Sequence, residues 1–382
     1  MSLTLNGPKS HIGLSKKTTT SNVTNATTNG SSSSSLQISQ DTLSTCRETK
    51  YFSYHHGASI TSLDFDDSGQ YLISSGVDKS IQLYDCYKGV HYKDIQSQKY
   101  GAHSARFTHE GLNCLYASTP DPLSTTEANE DTIRYLSLSS NQYIRYFKGH
   151  KAQVSNIEVN PLQNTFMSTS FDKTIKFWDL KASTPTGSLS VGNNIVAGYD
   201  PQGIVVGVGN GPSLTDGSRI GKISLYNLKN YDMGPFIECQ VACMPKQVWN
   251  KLEFSNNGKL ILISTDTCEH YILDAFLGKT LAIIRLTYRK DDRWMSTKYP
   301  YSGCCSFTPC GKYVLVGSPK HIIHIFNMAD LKPNAEKPTI FSRSTEVLKS
   351  SHGVPKIVMF NPKLYTFASA DTGVTLWQPQ EE

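Results

Sequence analysis

KGHKAQVSNIEVNPLQNTFMSTSFDKTIKFWDL, residues 148–180, is the stretch whose reading decides the fold. From Gln153 to Val159 apolar and polar residues alternate as in a half-buried strand, Asn160-Pro161 makes a turn, and Thr165 to Ser170 supplies a second strand. A tight turn at Phe171-Asp172-Lys173 then feeds a third strand, Thr174 to Trp178. Three antiparallel strands within about thirty residues, with turn residues where hairpins need them, describe a small twisted sheet rather than a helical unit.

The rest of the chain carries weaker copies of this pattern. Ahead of it, Ser59 to Phe65, Gln70 to Gly76, Ser80 to Asp85 and Val90 to Ile95 form one unit, with Val77-Asp78-Lys79 at the turn and Tyr84-Asp85 where the first stretch has Trp178-Asp179. A second begins at Gly101-Ala102-His103 and runs through Leu112 to Ala117, Ile133 to Leu138 and Tyr143 to Phe147, interrupted by a loop from Ser118 to Glu130. Residues 187–191 close the central unit. Ile195, Gly203 to Val208 and Lys222 to Tyr226 open a fourth; Trp249 to Phe254, Leu260 to Ser264, Glu269 to Leu273 and Thr280 to Leu286 form a fifth. Gly303 to Phe307, Tyr313 to Gly317 and Ile322 to Phe326 form a sixth, followed by a polar surface loop from Asp330 to Lys337. The last unit, Val354 to Phe360, Leu364 to Ala368 and Val374 to Trp377, has three strands and lacks its fourth.

An orphan strand, Arg47 to Tyr54, precedes the first full unit and fits that vacancy. An open sheet edge leaves backbone donors and acceptors unpaired, so zipping the N-terminal strand onto the last unit removes a real cost. The expected fold is all-β: a seven-bladed propeller over residues 46–382, closed by an N-terminal strand. Residues 1–45, rich in Ser, Thr and Asn with Ser31 to Ser35 as a homopolymer, hold too little apolar material for a core and read as a disordered tail. Their sequon-like triplets at Asn22, Asn25 and Asn29 follow no hydrophobic leader and read as compositional chance.

Composition narrows the chemistry. Charged residues are 18% of the chain and the formal net charge is +5 over 382 residues, too small a bias to require nucleic acid. No apolar run approaches a membrane span. Nine cysteines occur without a CxxC pair: Cys239 and Cys243 are loosely spaced, and Cys304 and Cys305, adjacent on an expected strand, should face opposite ways. His321 and His324 should likewise point to opposite faces. Reduced, buried thiols and no metal centre are expected. The run Gly207-Val208-Gly209-Asn210-Gly211 follows a strand, but neither a helix nor a Lys-Ser/Thr pair follows it, so it is not a phosphate loop. Neither a cofactor nor a small-molecule ligand is implied.

The pattern resembles the WD-repeat propellers. The resemblance implies a buried hydrogen-bonded chain of His150, Ser168 or Ser170, Asp172 and Trp178, in which each polar group offsets the desolvation of the next. That makes His150 and Asp172 structural rather than catalytic. Several stretches are similar to one group in particular: residues 99–109 (KYGAHSARFTH), 141–147 (NQYIRYF), 249–259 (WNKLEFSNNGK) and 225–229 with 234–236 (LYNLK, GPF). They resemble the fungal WD-repeat subunits shared by the COMPASS histone lysine methyltransferase complex and the cleavage and polyadenylation factor. The resemblance implies a nuclear, non-enzymatic scaffold. Its partners would be a SET-domain methyltransferase and other COMPASS subunits in one assembly and 3′-end processing factors in the other, with RNA polymerase II and chromatin reached indirectly. By position in a WD blade, the residue before the turn Asp lies on the narrow face, which selects Val77, Glu130 and Phe171 as partner contacts; Arg106, on an inner strand, is expected to line the central channel. Three other classes stay open on residues alone. These are a propeller enzyme, a substrate receptor of a cullin-type ubiquitin ligase, and an RNA-binding propeller with a basic aromatic face.

Overall fold

The computed structural model describes residues 37–119, 131–287, 301–332 and 336–380; expectations that fall on the remaining residues, Glu130 among them, lie outside it. The strands described assemble into seven separate sheets, each built on a four-stranded antiparallel meander that follows chain order in all but the last. Blade 1 comprises Ile60–Phe65, Tyr71–Gly76, Ser80–Asp85 and Val90–Gln96. Blade 2 comprises His103–Phe107, Asn113–Ala117, Ile133–Ser137 and Gln142–Phe147. Val154–Val159, Thr165–Ser170, Thr174–Asp179 and Gly187–Ser190 make blade 3. In blade 4 the strands are Ile195–Tyr199, Val205–Asn210, Ile220–Asn227 and Ile237–Ala242. Blade 5 has Trp249–Phe254, Leu260–Thr265, Glu269–Asp274 and Thr280–Arg285; blade 6 has Cys305–Phe307, Tyr313–Ser318, Ile322–Asn327 and Glu346–Lys349.

Blade 7 takes three strands from the C-terminal end of the chain, Ile357–Phe360, Phe367–Ala370 and Val374–Pro379, and its outermost strand from Cys46–Phe52. The two termini run antiparallel from Cys46 opposite Pro379 to Phe52 opposite Val374, with one irregularity between Glu48 and Lys50. The seam is therefore closed by the strand that the unpaired last unit required.

Adjacent blades are stitched at their inner strands by one repeated device. A side-chain oxygen of one blade accepts from a backbone amide of the next: Asp64 from Phe107 at 2.7 Å, Ser104 from Ile157 at 2.9 Å and Glu253 from Phe307 at 3.2 Å. An amide that has no strand partner on the axis side is satisfied this way without water. Between the blades lie the apolar clusters, and the largest of them joins blades 5, 6, 7 and 1 across the seam.

Three features depart from the sequence reading. Residues 37–45, expected in the tail, are ordered: Gln40–Ser44 forms a helical turn capped by Ser39, with Leu43 fully buried among Tyr313, Leu348 and Trp377. Part of the polar run from Asp330 to Lys337 lies outside the described residues, and after it an added strand, Thr339–Phe341, pairs parallel with Thr280–Arg285 and gives blade 5 a fifth strand. The Gly-rich segment of blade 4 owes its glycines to packing. A Cβ on Gly209 would sit 3.0 Å from the Trp249 ring, and one on Gly221 would overlap that ring.

Candidate functional site

Within a blade, the turn between the second and third strands and the connection that enters the first strand lie at the same end of the sheet, and blade 3 shows how that face is held rigid. His150 sits in the connection entering the blade, Asp172 in the turn between its second and third strands, Ser168 on the second strand and Trp178 on the third. The imidazole Nδ1 meets Asp172 Oδ2 at 2.8 Å, Nε2 meets Ser168 Oγ at 2.7 Å, and the Trp178 indole donates to the same Oγ at 2.9 Å. Thr174 donates to the other carboxylate oxygen at 2.6 Å and the Lys151 amide adds a further bond at 3.0 Å. Burial pushes the Asp172 carboxyl up, yet the bonds from Thr174, Lys151 and His150 outweigh it and hold the group down at about 2. Burial in turn keeps His150 below its ordinary value despite Asp172. Of the two serines named for this chain, Ser168 is the link; Ser170 instead donates to the Ala152 carbonyl and receives the Asp172 amide.

Blade 1 builds the same chain with a phenol in place of the indole. His55 Nδ1 lies 3.0 Å from Asp78, Nε2 lies 2.7 Å from Ser74 Oγ, and Tyr84 OH lies 3.2 Å from that oxygen. The sequence reading did not single out His55, because no Gly-His dipeptide marks it. Its signal was its spacing before Asp78, which matches that of His150 before Asp172 to within one residue. Among the described residues, the hydroxyls that meet these imidazoles are all engaged: Ser74 and Ser168 with Tyr84 and Trp178, Ser80 and Thr174 with Asp78 and Asp172.

Over blades 3, 4 and 5 this face opens into a cavity of about 990 Å³, with Phe171, Asn194, Leu214, Lys246, Trp249 and Tyr301 among its walls. Phe171 is 59% exposed there, whereas Val77, the matching residue of blade 1, is half-buried. The sequence reading reached Phe171 through the turn position. It missed Asn194, Trp249 and Tyr301, which come from neighbouring blades and share no local motif with it.

Arg106 stands on the inner strand of blade 2 but is only 5% exposed. Its guanidinium donates to the Leu63 carbonyl of blade 1 at 3.3 Å and to Asn156 Oδ1 of blade 3 at 3.2 Å, with Glu158 at 3.5 Å and Ser302 Oγ at 3.5 Å. It is a brace between the flanking blades rather than a surface offered to a partner. Beside it Asp64 is half-buried, and desolvation raises its carboxyl to about 7 despite Arg106 and the Phe107 amide.

The described cysteines are all free thiols, and only Cys310 is exposed. Cys304 and Cys305 do not face opposite ways. The strand begins at Cys305, not before it; Gly303 at φ 88° turns the chain ahead of it, and the two Sγ atoms lie 3.6 Å apart. With His270 they form the one group of three buried metal-type side chains among the described residues.

Comparison with known proteins agrees with this architecture. Residues 46–85 and 141–179 match the family described as WD domain, G-beta repeat. The chain is 38% identical to the COMPASS component SWD2 of Saccharomyces cerevisiae over 83% of its own length and 90% of the relative's. It is 32% identical to the Set1 complex component swd2 of Schizosaccharomyces pombe over 90% and 99%, and 34% identical to WD repeat-containing protein 82 of Drosophila melanogaster over 85% and 91%. Identity of this level over more than four-fifths of the chain places it in the SWD2 family of WD-repeat propellers.

Proposed function

We propose that this protein is a nuclear, non-catalytic scaffold subunit of a COMPASS-type histone lysine methyltransferase complex. It holds a SET-domain subunit and other complex members so that histone methylation is promoted at transcribed chromatin. The observation that carries the reading is the identity to the SWD2 relatives over nearly the full length of both chains. The geometry supports it. The polar side chains near the imidazoles are spent on satisfying one another, while Phe171 projects from a rigid turn beside a cavity large enough for a few side chains of a partner. An exposed aromatic on a preorganised loop suits an anchor, since little conformational freedom is lost on docking. We extend the proposal to a second assembly, the cleavage and polyadenylation factor, in which the same disc would serve transcription termination and RNA 3′-end formation.

Affinity purification with mass spectrometry tests both parts. Co-purification of a SET-domain methyltransferase supports the first, and recovery of 3′-end processing subunits supports the second. A cullin adaptor in place of either would overturn the scaffold assignment. Phe171→Ala should weaken methyltransferase recovery by about tenfold or more while leaving thermal stability within roughly 0.5 kcal/mol of the parent.

A further inference from the structure

We propose that Cys304 and Cys305 are a redox-active dithiol that closes to a vicinal disulfide when a small hydroperoxide reaches it. Both residues are fully buried, their sulfurs are 3.6 Å apart, and His270 Nε2 lies 3.9 Å from Cys304 Sγ. Ser264 Oγ stands on another side of the same sulfur at 3.6 Å. Gly303 makes the arrangement possible. Its positive φ sets the chain so that consecutive side chains converge, and a Cβ there would meet Lys251 Cβ at 2.9 Å and Ser264 Oγ at 3.0 Å.

Two buried thiols and an imidazole also suggest a soft metal ion, and the hydrogen bonding decides against it. The Thr265 backbone amide donates to His270 Nδ1 at 3.2 Å, so Nδ1 presents its lone pair there and the ring proton resides on Nε2. Nε2 therefore offers Cys304 a proton and has no lone pair for an ion. Metal-bound histidines show the reverse arrangement, with the non-ligating nitrogen donating to a carbonyl or carboxylate. An N–H aimed at sulfur favours the thiolate instead.

The two thiols are thereby made unequal. Burial opposes ionisation of Cys304, but hydrogen bonds from Cys305, His270 and Ser264 outweigh it and hold that thiol well below its ordinary value. Burial and the adjacent Cys304 drive Cys305 upward. Elsewhere burial acts without such partners, and Cys46 and Cys239 are pushed up to about 12 and about 11. The chemistry follows. The Cys304 thiolate attacks the peroxide O–O bond and becomes a sulfenic acid, while the departing alkoxide or hydroxide takes a proton from water. Cys305 then attacks Cys304 sulfur, and its thiol proton leaves with the sulfenic hydroxyl as water. Two thiols are oxidised and one peroxide is reduced. The Cα atoms of adjacent residues are about 3.8 Å apart, closer than in most bridged pairs, so the product is strained and open to reduction by a dithiol. The segment it tightens carries Ser302, which touches Arg106, and Tyr301 of the cavity wall.

The test treats the reduced full-length protein with hydrogen peroxide, then unfolds it in N-ethylmaleimide and maps the peptides by mass spectrometry. Expected is a peptide in which Cys304 and Cys305 have lost two hydrogens and carry no maleimide, formed about tenfold faster than oxidation of the exposed Cys310 and reversed by dithiothreitol. His270→Leu should slow that step by about tenfold. Should that variant fail to fold, the order of the pair against Cys310 in the unaltered protein decides alone. Oxidation of Cys310 while both Cys304 and Cys305 still take maleimide would overturn the proposal. So would one equivalent of zinc or copper retained by the native protein and lost in Cys304→Ser.

Discussion

Blades 3 and 7 carry the same internal parts but are tied to their surroundings differently. Each opens with an Asn-Pro turn after its inner strand, and the asparagine amide reaches a glycine carbonyl of the next blade: Asn160 to Gly203 at 2.9 Å, Asn361 to Gly69 at 2.7 Å. Each stacks a second-strand Phe on a third-strand Trp, Phe166 on Trp178 at 5.8 Å and Phe367 on Trp377 at 5.4 Å, and each indole donates to a serine at 2.9 Å. The difference lies in the imidazole. His150 is buried and completes the chain of blade 3, whereas His352, in the matching connection of blade 7, turns outward to Glu48 at 2.9 Å and stacks on Tyr51 at 4.5 Å. Asp371 accepts Lys356 at 2.7 Å. Glu48 and Tyr51 belong to the seam strand. The Trp–Ser link is thus a property of one hairpin, while the fate of the histidine depends on which piece of chain forms the outermost strand.

Breaking the seam itself should have the largest effect. Deleting Cys46–Phe52 opens the last blade along its whole edge, and soluble, monodisperse protein should be lost in gel filtration; recovery of a folded monomer would refute the closure. Leu43→Ala, beneath the helical turn that precedes the seam, removes a fully buried side chain and should cost about 2–5 kcal/mol in denaturant unfolding. In the body of the blades, Ser168→Ala strands both an imidazole and an indole and should cost about 2–4 kcal/mol, and Ser369→Ala, which strands the indole alone, about half as much; equal losses would remove the distinction between the two blades. Acid should sharpen it further. His150 is depressed from its ordinary 6.5, so its contribution is intact above that value and is lost as pH falls through its lower folded value. Asp172, depressed from 3.8 to about 2, keeps its contribution until the more acidic window between those two values. His150→Asn should therefore flatten the decline in stability between about pH 7 and pH 5, and the smallest effect, within about 1 kcal/mol at neutral pH, is expected for the half-exposed His352→Asn.

Much of this was legible along the chain because a blade is a local object. Period-two alternation, the Asn160-Pro161 turn and the Gly-His to Trp-Asp spacing of residues 149–179 lie within one stretch, so the strands, their count and the missing fourth member of the last unit could be read in order. Phe171 was reachable for the same reason, as a turn position. What escaped was set by packing between units. Leu43 looks like an isolated apolar residue in a polar tail until blades 6 and 7 offer it a groove. Arg106 looks like a channel residue until the Leu63 carbonyl of blade 1 and the Asn156 and Glu158 side chains of blade 3 close around it, and Cys304 and Cys305 obey strand alternation until Gly303 bends the chain before the strand starts.

By itself, then, the sequence determined that this protein is a ring of seven small sheets with its ends joined, since hydrogen-bond saturation of each strand and of the seam leaves few other arrangements. The tertiary structure alone decided which polar groups are spent inside the ring and which remain available at its faces. Desolvation and partner distance depend on residues far apart in the chain, and no local pattern records them.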